Sequence, residues 1–245
     1  MKALVLSDLH LEFEPIQLSL VDVDLVILAG DIHKGARGVH WASEVFSIPV
    51  LYVPGNHEFY GGHIHRTLEK MRAASANHAN VHVLDQDQVI IAGVRFLGAT
   101  SWTDYTASGD LARAMSVARE SMNDFKLILA DAHYRKLRPD DLLTRSRLAR
   151  EWLSEQLAAS FKGKTVVISH HCPISQVAGH ENSDSHLSAS YTNNWHSLVD
   201  QSDFWIFGHT HHSVDVTLGR CRLISNPRGY PDEQTGFDCL KIIEF

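Results

Sequence analysis

Two short strings carry the first hint of chemistry in this chain. Near its start, Asp8-Leu9-His10 sets a carboxylate and an imidazole two residues apart. Far downstream, Gly208-His209-Thr210-His211 does the same with two imidazoles. Between them lie Gly30-Asp31, Gly55-Asn56-His57-Glu58 and His170-His171-Cys172-Pro173. Asp, Asn and His are oxygen and nitrogen donors, and together they suit borderline-hard divalent metals such as Mn, Fe, Zn or Co. No thiolate joins the set, which weighs against a structural zinc site. In an extended segment residues i and i+2 project to one side, so each D-x-H or H-x-H pair is predicted to aim two ligands at one point. Gly30, Gly55 and Gly208 each precede a ligand position, where a missing side chain permits a sharp turn and close backbone approach.

For these clusters to meet, five segment ends must reach one rim. Ala3–Leu6, Leu25–Ala29, Val50–Val53, Thr165–Ser169 and Phe204–Phe207 are short apolar runs and read as buried strands. Each ends where a cluster begins. Val39–Phe46 and Ile64–Ala76 read as helices between the early strands. Strand, loop, helix, strand argues for βαβ units and a parallel sheet, in which ligands bind beyond the carboxyl ends of the strands. Val81–Leu84, Gln88–Ala92 and Val94–Leu97 suggest hairpins, with a tight turn at Ala92–Val94. Leu111–Met122 and Arg145–Phe161 read as helices, the second with Trp152, Leu153 and Leu157 on one face. The polar stretch Asn123–Thr144, with Arg138-Pro139-Asp140, reads as a loop or irregular insert. Ser213–Leu218 and Cys221–Ser225 pair around Gly219-Arg220, and Asp238–Phe245 reads as a last strand. No repeat or linker divides the chain, so residues 1–245 are expected to form a single domain.

In order, D-L-H, G-D, G-N-H-E, H-H-x-P and G-H-T-H resemble the signature of the calcineurin-like metallophosphoesterases. The resemblance runs from Asp8 to His211, and Ser225–Pro231 resembles the Asn-Pro-containing segment that follows the last motif in that family. It implies an α/β fold, a four-layer αββα sandwich of two mixed β-sheets flanked by helices. It implies two divalent metal ions, with Mn, Fe and Zn the leading candidates. Asp8, His10 and His211 would hold the first, Asn56, His170 and His209 the second, and Asp31 would bridge them. It implies hydrolysis of a phosphomonoester or phosphodiester by attack of a metal-bridging hydroxide, with His57 protonating the leaving group. Asp31 and His57 are then the catalytic residues, and Asn56, His57 and His171 those expected to touch substrate. Family members place the H-H-x-P ligand two or three residues before the proline. His170 directly follows its strand and is chosen, which leaves His171 leaning toward substrate or packed beneath the loop.

Taken singly, each cluster has an ordinary explanation: Asp8 could cap a turn and Asn56 could be turn chemistry. Together they are expected in order at one edge of one sheet, which such explanations do not produce. His33, His40, His63, His65, His78, His82, His133 and His196 have no supporting pattern. The polar stretch Gly179–Trp195, with His180 and His186, is expected to overhang the site, where loops set specificity. His212 should alternate away from the metals. Arg228 and Tyr230 read as structural members of a Gly/Pro turn, and Trp102, Trp152, Trp195 and Trp205 as core or pocket wall.

The net charge of −7 and the lack of a basic run give no stable nucleic-acid surface. No apolar stretch approaches membrane-spanning length. The N-terminal apolar run stops at Asp8, too soon for a signal-peptide core. Cys172, Cys221 and Cys239 are an odd, irregularly spaced set, which fits a reducing, cytoplasmic compartment. The expected partner is a phosphoester substrate; no pattern fixes the oligomeric state. The rival readings are a nuclease in the same fold and a catalytically silent metal-binding interaction module.

Overall fold

The strands expected to carry the clusters all form, each as an almost wholly buried run. In the computed structural model β1 (Lys2–Leu6), β2 (Leu25–Ala29) and β3 (Val50–Val53) are parallel neighbours. β4 (Val81–Val83) extends this sheet beside β3. The last strand of the chain, β11 (Ile242–Glu244), closes its other edge antiparallel to β1. The second sheet runs β5 (Asp87–Ile91), β6 (Val94–Ala99), β7 (Thr165–Ser169), β8 (Phe204–Phe207), β10 (Cys221–Ser225), β9 (Val214–Leu218). Its four inner strands are parallel and its two edges antiparallel. The structure describes residues 1–18, 21–130, 134–179 and 185–245; His133 and His180 lie outside them.

Side chains alternate across each strand, and the two faces go to different cores. Val5, Ile27, Leu51 and Val53 of the first sheet meet Phe96, Val166, Ile168, Ile206 and Ile224 of the second. The reverse face of the first sheet, Leu4, Val26, Leu28 and Tyr52, packs on α1 (Arg37–Val45) and α2 (Ile64–Ser75) through Val39, Ala42, Met71 and Ala74. The reverse face of the second, Val167, Trp205, Phe207 and Leu223, packs on α5 (Pro139–Ala158) through Ala149, Leu153 and Leu157. The layers are thus helix, sheet, sheet, helix, as the resemblance implied. Trp102, Trp195 and Trp205 are buried, and Trp152 is partly so. Among the described residues no helix is long and apolar enough to cross a membrane.

Three expectations change. β4 does not pair with β5 in a hairpin: it joins the first sheet, and the β5–β6 hairpin opens the second. The polar insert contains α4 (Asp124–Leu127) and the start of α5, following α3 (Leu111–Ser121). Pro139 is the first helical residue of α5, where its missing N–H costs nothing, and Asp141 accepts from Arg138 N at 2.8 Å. The C-terminal strand shrinks to three residues because Asp238 is spent on Asn226. Asn226 Oδ1 accepts from Asp238 N (2.9 Å), while Asn226 Nδ2 donates to the Asp238 and Val5 carbonyls (2.9 and 2.8 Å).

Asp215 on β9 accepts from Arg222 of β10 (2.7 and 2.9 Å) and from Lys241, just before β11 (2.6 Å). The Arg222 hydrogen bonds, helped by Lys241 and opposed by partial burial, hold its carboxyl at about 2, below the ordinary 3.8. A depressed folded-state pKa contributes stability above the ordinary value and loses it as pH falls toward 2. Asp215→Asn is therefore expected to lower the urea midpoint at pH 7 and to match wild type near pH 2. The loss should be at most about 1 kcal/mol, because the pairs are partly exposed.

Candidate metal centre

Loop-to-loop hydrogen bonds stitch the strand ends together. Asp8 N donates to the Gly30 carbonyl (2.9 Å), His10 N to that of Asp31 (3.0 Å) and Gly208 N to that of His170 (2.9 Å). His209 N donates to Asp8 Oδ1 at 2.9 Å, tying the last motif to the first. A Cβ at Gly30, Gly55 or Gly208 would collide with His170 Nδ1, Asp31 Oδ1 or Asp8 Oδ2 in turn. The glycines are therefore the places where these side chains cross the neighbouring backbone.

The backbone at the expected ligands is not extended. Asp8, His10, Asp31, His209 and His211 all have φ between 46° and 68°. The paired side chains converge because each residue sits in a left-handed turn, and strand alternation plays no part. Asp and His tolerate this region better than most residues, yet it costs on the order of 1–3 kcal/mol each. The inter-loop hydrogen bonds hold the strained positions in place.

Seven residues meet here. Asp8, His10, Asp31, Asn56, His170 and His209 are buried, and His211 is mostly so. His10 Nε2 and His211 Nε2 are 3.1 Å apart, and His211 Nε2 is 3.6 Å from Asp8 Oδ1. On the other side, His170 Nε2 is 3.0 Å from Asn56 Oδ1 and 3.4 Å from Asp31 Oδ1. Asp31 turns its second oxygen, Oδ2, toward His10 Nε2 at 3.9 Å. Donor atoms of Asp8, His10 and His211 lie within 4.8 Å of one another, as do those of Asp31, His170 and His209. Burial alone would raise the Asp31 pKa, but His170, His57 and His10 hold it well below the carboxylate range.

A cation at each cluster fits these atoms. Asp8 Oδ2 and His209 Nε2 are buried with no hydrogen-bond partner, a costly state unless something else meets them. The facing nitrogens of His10 and His211 can both offer lone pairs only to a positive centre. The far nitrogens of two rings are already engaged, which fixes which one points inward. His170 Nδ1 donates to the Ala29 carbonyl (3.0 Å) and His211 Nδ1 to Glu233 Oε2 (2.6 Å).

His57 lies beside the cluster. Its Nδ1 donates to Glu12 Oε1 at 2.7 Å, and its Nε2 is 3.9 Å from Asp31 Oδ2 and 3.1 Å from the Tyr230 hydroxyl. Burial opposes protonation of His57, but Asp31 and Glu12 raise its pKa above the ordinary value. His171 does not face the cleft. It is buried, its ring 4.2 Å from that of His209 and 5.5 Å from that of Trp102. Burial, then the charge of His170, pushes it down to about 3. Of the two placements considered for it, packing beneath the loop is the one observed, and substrate contact by His171 is withdrawn.

Four supporting residues escaped the sequence reading. Glu12 continues the spacing of Asp8 and His10 by two more residues, a signal that could have found it. Glu58 accepts from Asp31 N, Ile32 N, Gly55 N and the Tyr52 hydroxyl (2.6–3.0 Å) and so braces two loops; burial and the neighbouring Asp31 charge push its carboxyl up to about 7. Asp124 accepts from Asn56 Nδ2 (2.8 Å) and the Tyr60 hydroxyl (2.7 Å), which turns Asn56 Oδ1 toward His170. Glu233 braces His211. Tyr230, read as structural, lines the cleft, whereas Arg228 is structural, donating to the Leu9 and Glu14 carbonyls (3.1 and 2.7 Å).

The cluster opens into a cleft of about 1050 Å³ whose floor includes Asp31, Asn56, His57, His209 and His211. Gly179, Ser188, Tyr191 and Thr192 of the long polar stretch line it, as does the exposed His212, which joins neither donor cluster.

The comparisons agree with this architecture. The chain is 22% identical over 210 residues to an uncharacterized protein of Acanthamoeba polyphaga mimivirus, covering 80% of this chain and 73% of that one. Its fold is similar to that of the phosphopantetheinyl hydrolase of Mycobacterium tuberculosis, with a TM-score of 0.74, 16% identity, and 94% and 90% of the two chains covered. A putative 5'-nucleotidase from Staphylococcus aureus aligns at a TM-score of 0.52 and 15% identity, over 93% of this chain and 49% of the other. The family model described as calcineurin-like phosphoesterase matches residues 1–213. With its five motifs gathered at one rim of a two-sheet sandwich, the chain belongs to the calcineurin-like phosphoesterase family.

Proposed function

We propose that this chain hydrolyses a phosphoester with two divalent ions held side by side on Asp31. The observation that supports it most is the carboxylate itself: Oδ1 turns to His170 and Oδ2 to His10, so one side chain addresses two donor clusters. Asp8, His10 and His211 would hold one ion, and Asn56, His170 and His209 the other. Bound ions would supply Lewis acidity, acidifying water and neutralising phosphoryl oxygens. Mn, Fe and Zn all suit these donors.

The remaining work falls to the protein. Glu12 fixes the His57 ring with Nδ1 as donor, so that Nε2 faces the cleft beside Asp31. A proton held at Nε2 can pass to the departing oxygen of the ester. Asp124 holds the Asn56 amide with its nitrogen outward and its oxygen toward the centre. Three free cysteines support a reducing, cytoplasmic setting.

The test is turnover of p-nitrophenyl phosphate and bis-p-nitrophenyl phosphate by Mn-loaded protein. At least one ester should be hydrolysed, with activity removed by a chelator and restored by Mn. Metal-replete protein inert to both would favour the silent binding module instead.

A further inference from the structure

The chain carries 22 Lys and Arg, and none of those in the described residues lines the cleft. Residues 180–184, next in sequence to a lining residue, are His-Glu-Asn-Ser-Asp and contain neither. The one arginine close in sequence to Tyr230, Arg228, spends its guanidinium on the Leu9, Glu14 and Pro15 carbonyls and the Glu14 carboxylate. Away from the metal-side floor the described walls offer no Lys or Arg: tyrosines aside, the titratable side chains there are the His212 imidazole and the Glu233 carboxylate that holds His211, and the rest are neutral. Tyr60, Tyr191 and Tyr230 present rings, and Asn123, Gln176 and Gln234 present amides. Among the described residues, no side-chain hydrogen bond occupies those three amides.

This distribution has a consequence for specificity, resting on the phosphoester reading above. Positive charge for the reacting phosphoryl group would come from the floor alone. A second anionic group would lie against walls with no Lys or Arg to meet it and with the Glu233 carboxylate among them. Taking a charge out of water without a partner is costly, and a net charge of −7 opposes polyanions further. A neutral group meets unspent amides, hydroxyls and aromatic rings, and the volume accommodates a moiety of drug-like size. We propose that the cleft selects phosphoesters whose organic part is uncharged and hydrogen-bonding, and rejects those carrying a second anionic group. Nucleic-acid strands, bisphosphates and nucleoside polyphosphates fall in the rejected class.

A matched pair of unreactive probes isolates this from catalysis: 4-carbamoylbenzylphosphonate and 4-carboxybenzylphosphonate, which differ by one charge at nearly constant shape. Isothermal titration into Mn-loaded protein is expected to give at least about tenfold tighter binding of the amide. Gln234→Lys, which puts a cation on the wall, should shrink that ratio at least about threefold. Equal binding of the two probes, or tighter binding of the carboxylate, would overturn the inference while leaving the hydrolase reading intact. An unchanged ratio in Gln234→Lys would overturn this wall as the recognising surface. Failure to turn over either nitrophenyl ester with metals bound would instead remove the hydrolase reading, and this inference with it.

Discussion

Asp31→Asn is expected to empty both halves of the centre at once. Elemental analysis should find about two ions per chain in wild type and fewer than one in the variant. The reason lies in the shared carboxylate. Its Oδ1 is 3.4 Å from His170 Nε2 and its Oδ2 3.9 Å from His10 Nε2. An amide offers one oxygen and no charge, so at most one cluster keeps a ligand and two dications lose the anion between them. Displacing even an outer partner of a metal ligand commonly costs about 10–100-fold in affinity, and losing a bridge should cost at least about 100-fold at both positions. The fold should survive. The amide oxygen of the variant can still accept from His57 N, as Asp31 Oδ1 does at 2.8 Å. Retention of two ions by a folded variant would contradict a bridging role. Selective loss of one would make Asp31 a ligand of that site only.

His57→Ala should have the opposite signature: metals retained, turnover lost, and the loss graded by leaving group. No proposed ligand atom is hydrogen-bonded to the His57 ring, whose Nε2 stands 3.9 Å from Asp31 Oδ2, and the Asp31 hydrogen bond comes from the His57 backbone N, which alanine keeps. The ring Nδ1 is taken by Glu12, and the pKa of the ring is raised by Asp31 and Glu12. General acid assistance is worth about 10²–10⁴-fold, and it matters most when the departing oxygen is basic. For alkyl phosphoesters kcat should fall by about that factor. For p-nitrophenyl esters, whose leaving group departs as a stable anion, the fall should be about tenfold or less. A uniform loss across leaving groups would remove His57 as the acid. Glu12→Gln should fall between the two, because an amide can hold the ring but cannot favour its protonated form.

The centre was legible in the sequence because its donors sit at fixed places: the first residues after short apolar strands. A buried parallel strand is a recognisable run, and its carboxyl end is where such sheets bind ligands. The residues that brace the donors were not legible. Asp124 meets Asn56 across 68 positions, from an insert with no periodicity. Glu233 reaches His211 from a Gly/Pro turn. Neither contact leaves a local pattern, since each depends on how two loops pack. Strand alternation, the expected cause of convergence, is not the one the chain uses. D-x-H and H-x-H do direct both side chains inward, but through left-handed turns that spacing alone cannot reveal. Pro139 shows the reverse case: a residue taken as a breaker opens a helix, and Asp141, three residues after Arg138, was the available clue.

The most direct test of the central claim is anomalous scattering from crystals grown with Mn. Two peaks should appear about 3.5–4 Å apart, one among Asp8, His10 and His211, the other among Asn56, His170 and His209, with Asp31 between them. A single peak, or a pair that leaves Asp31 bound to neither ion, would contradict the account.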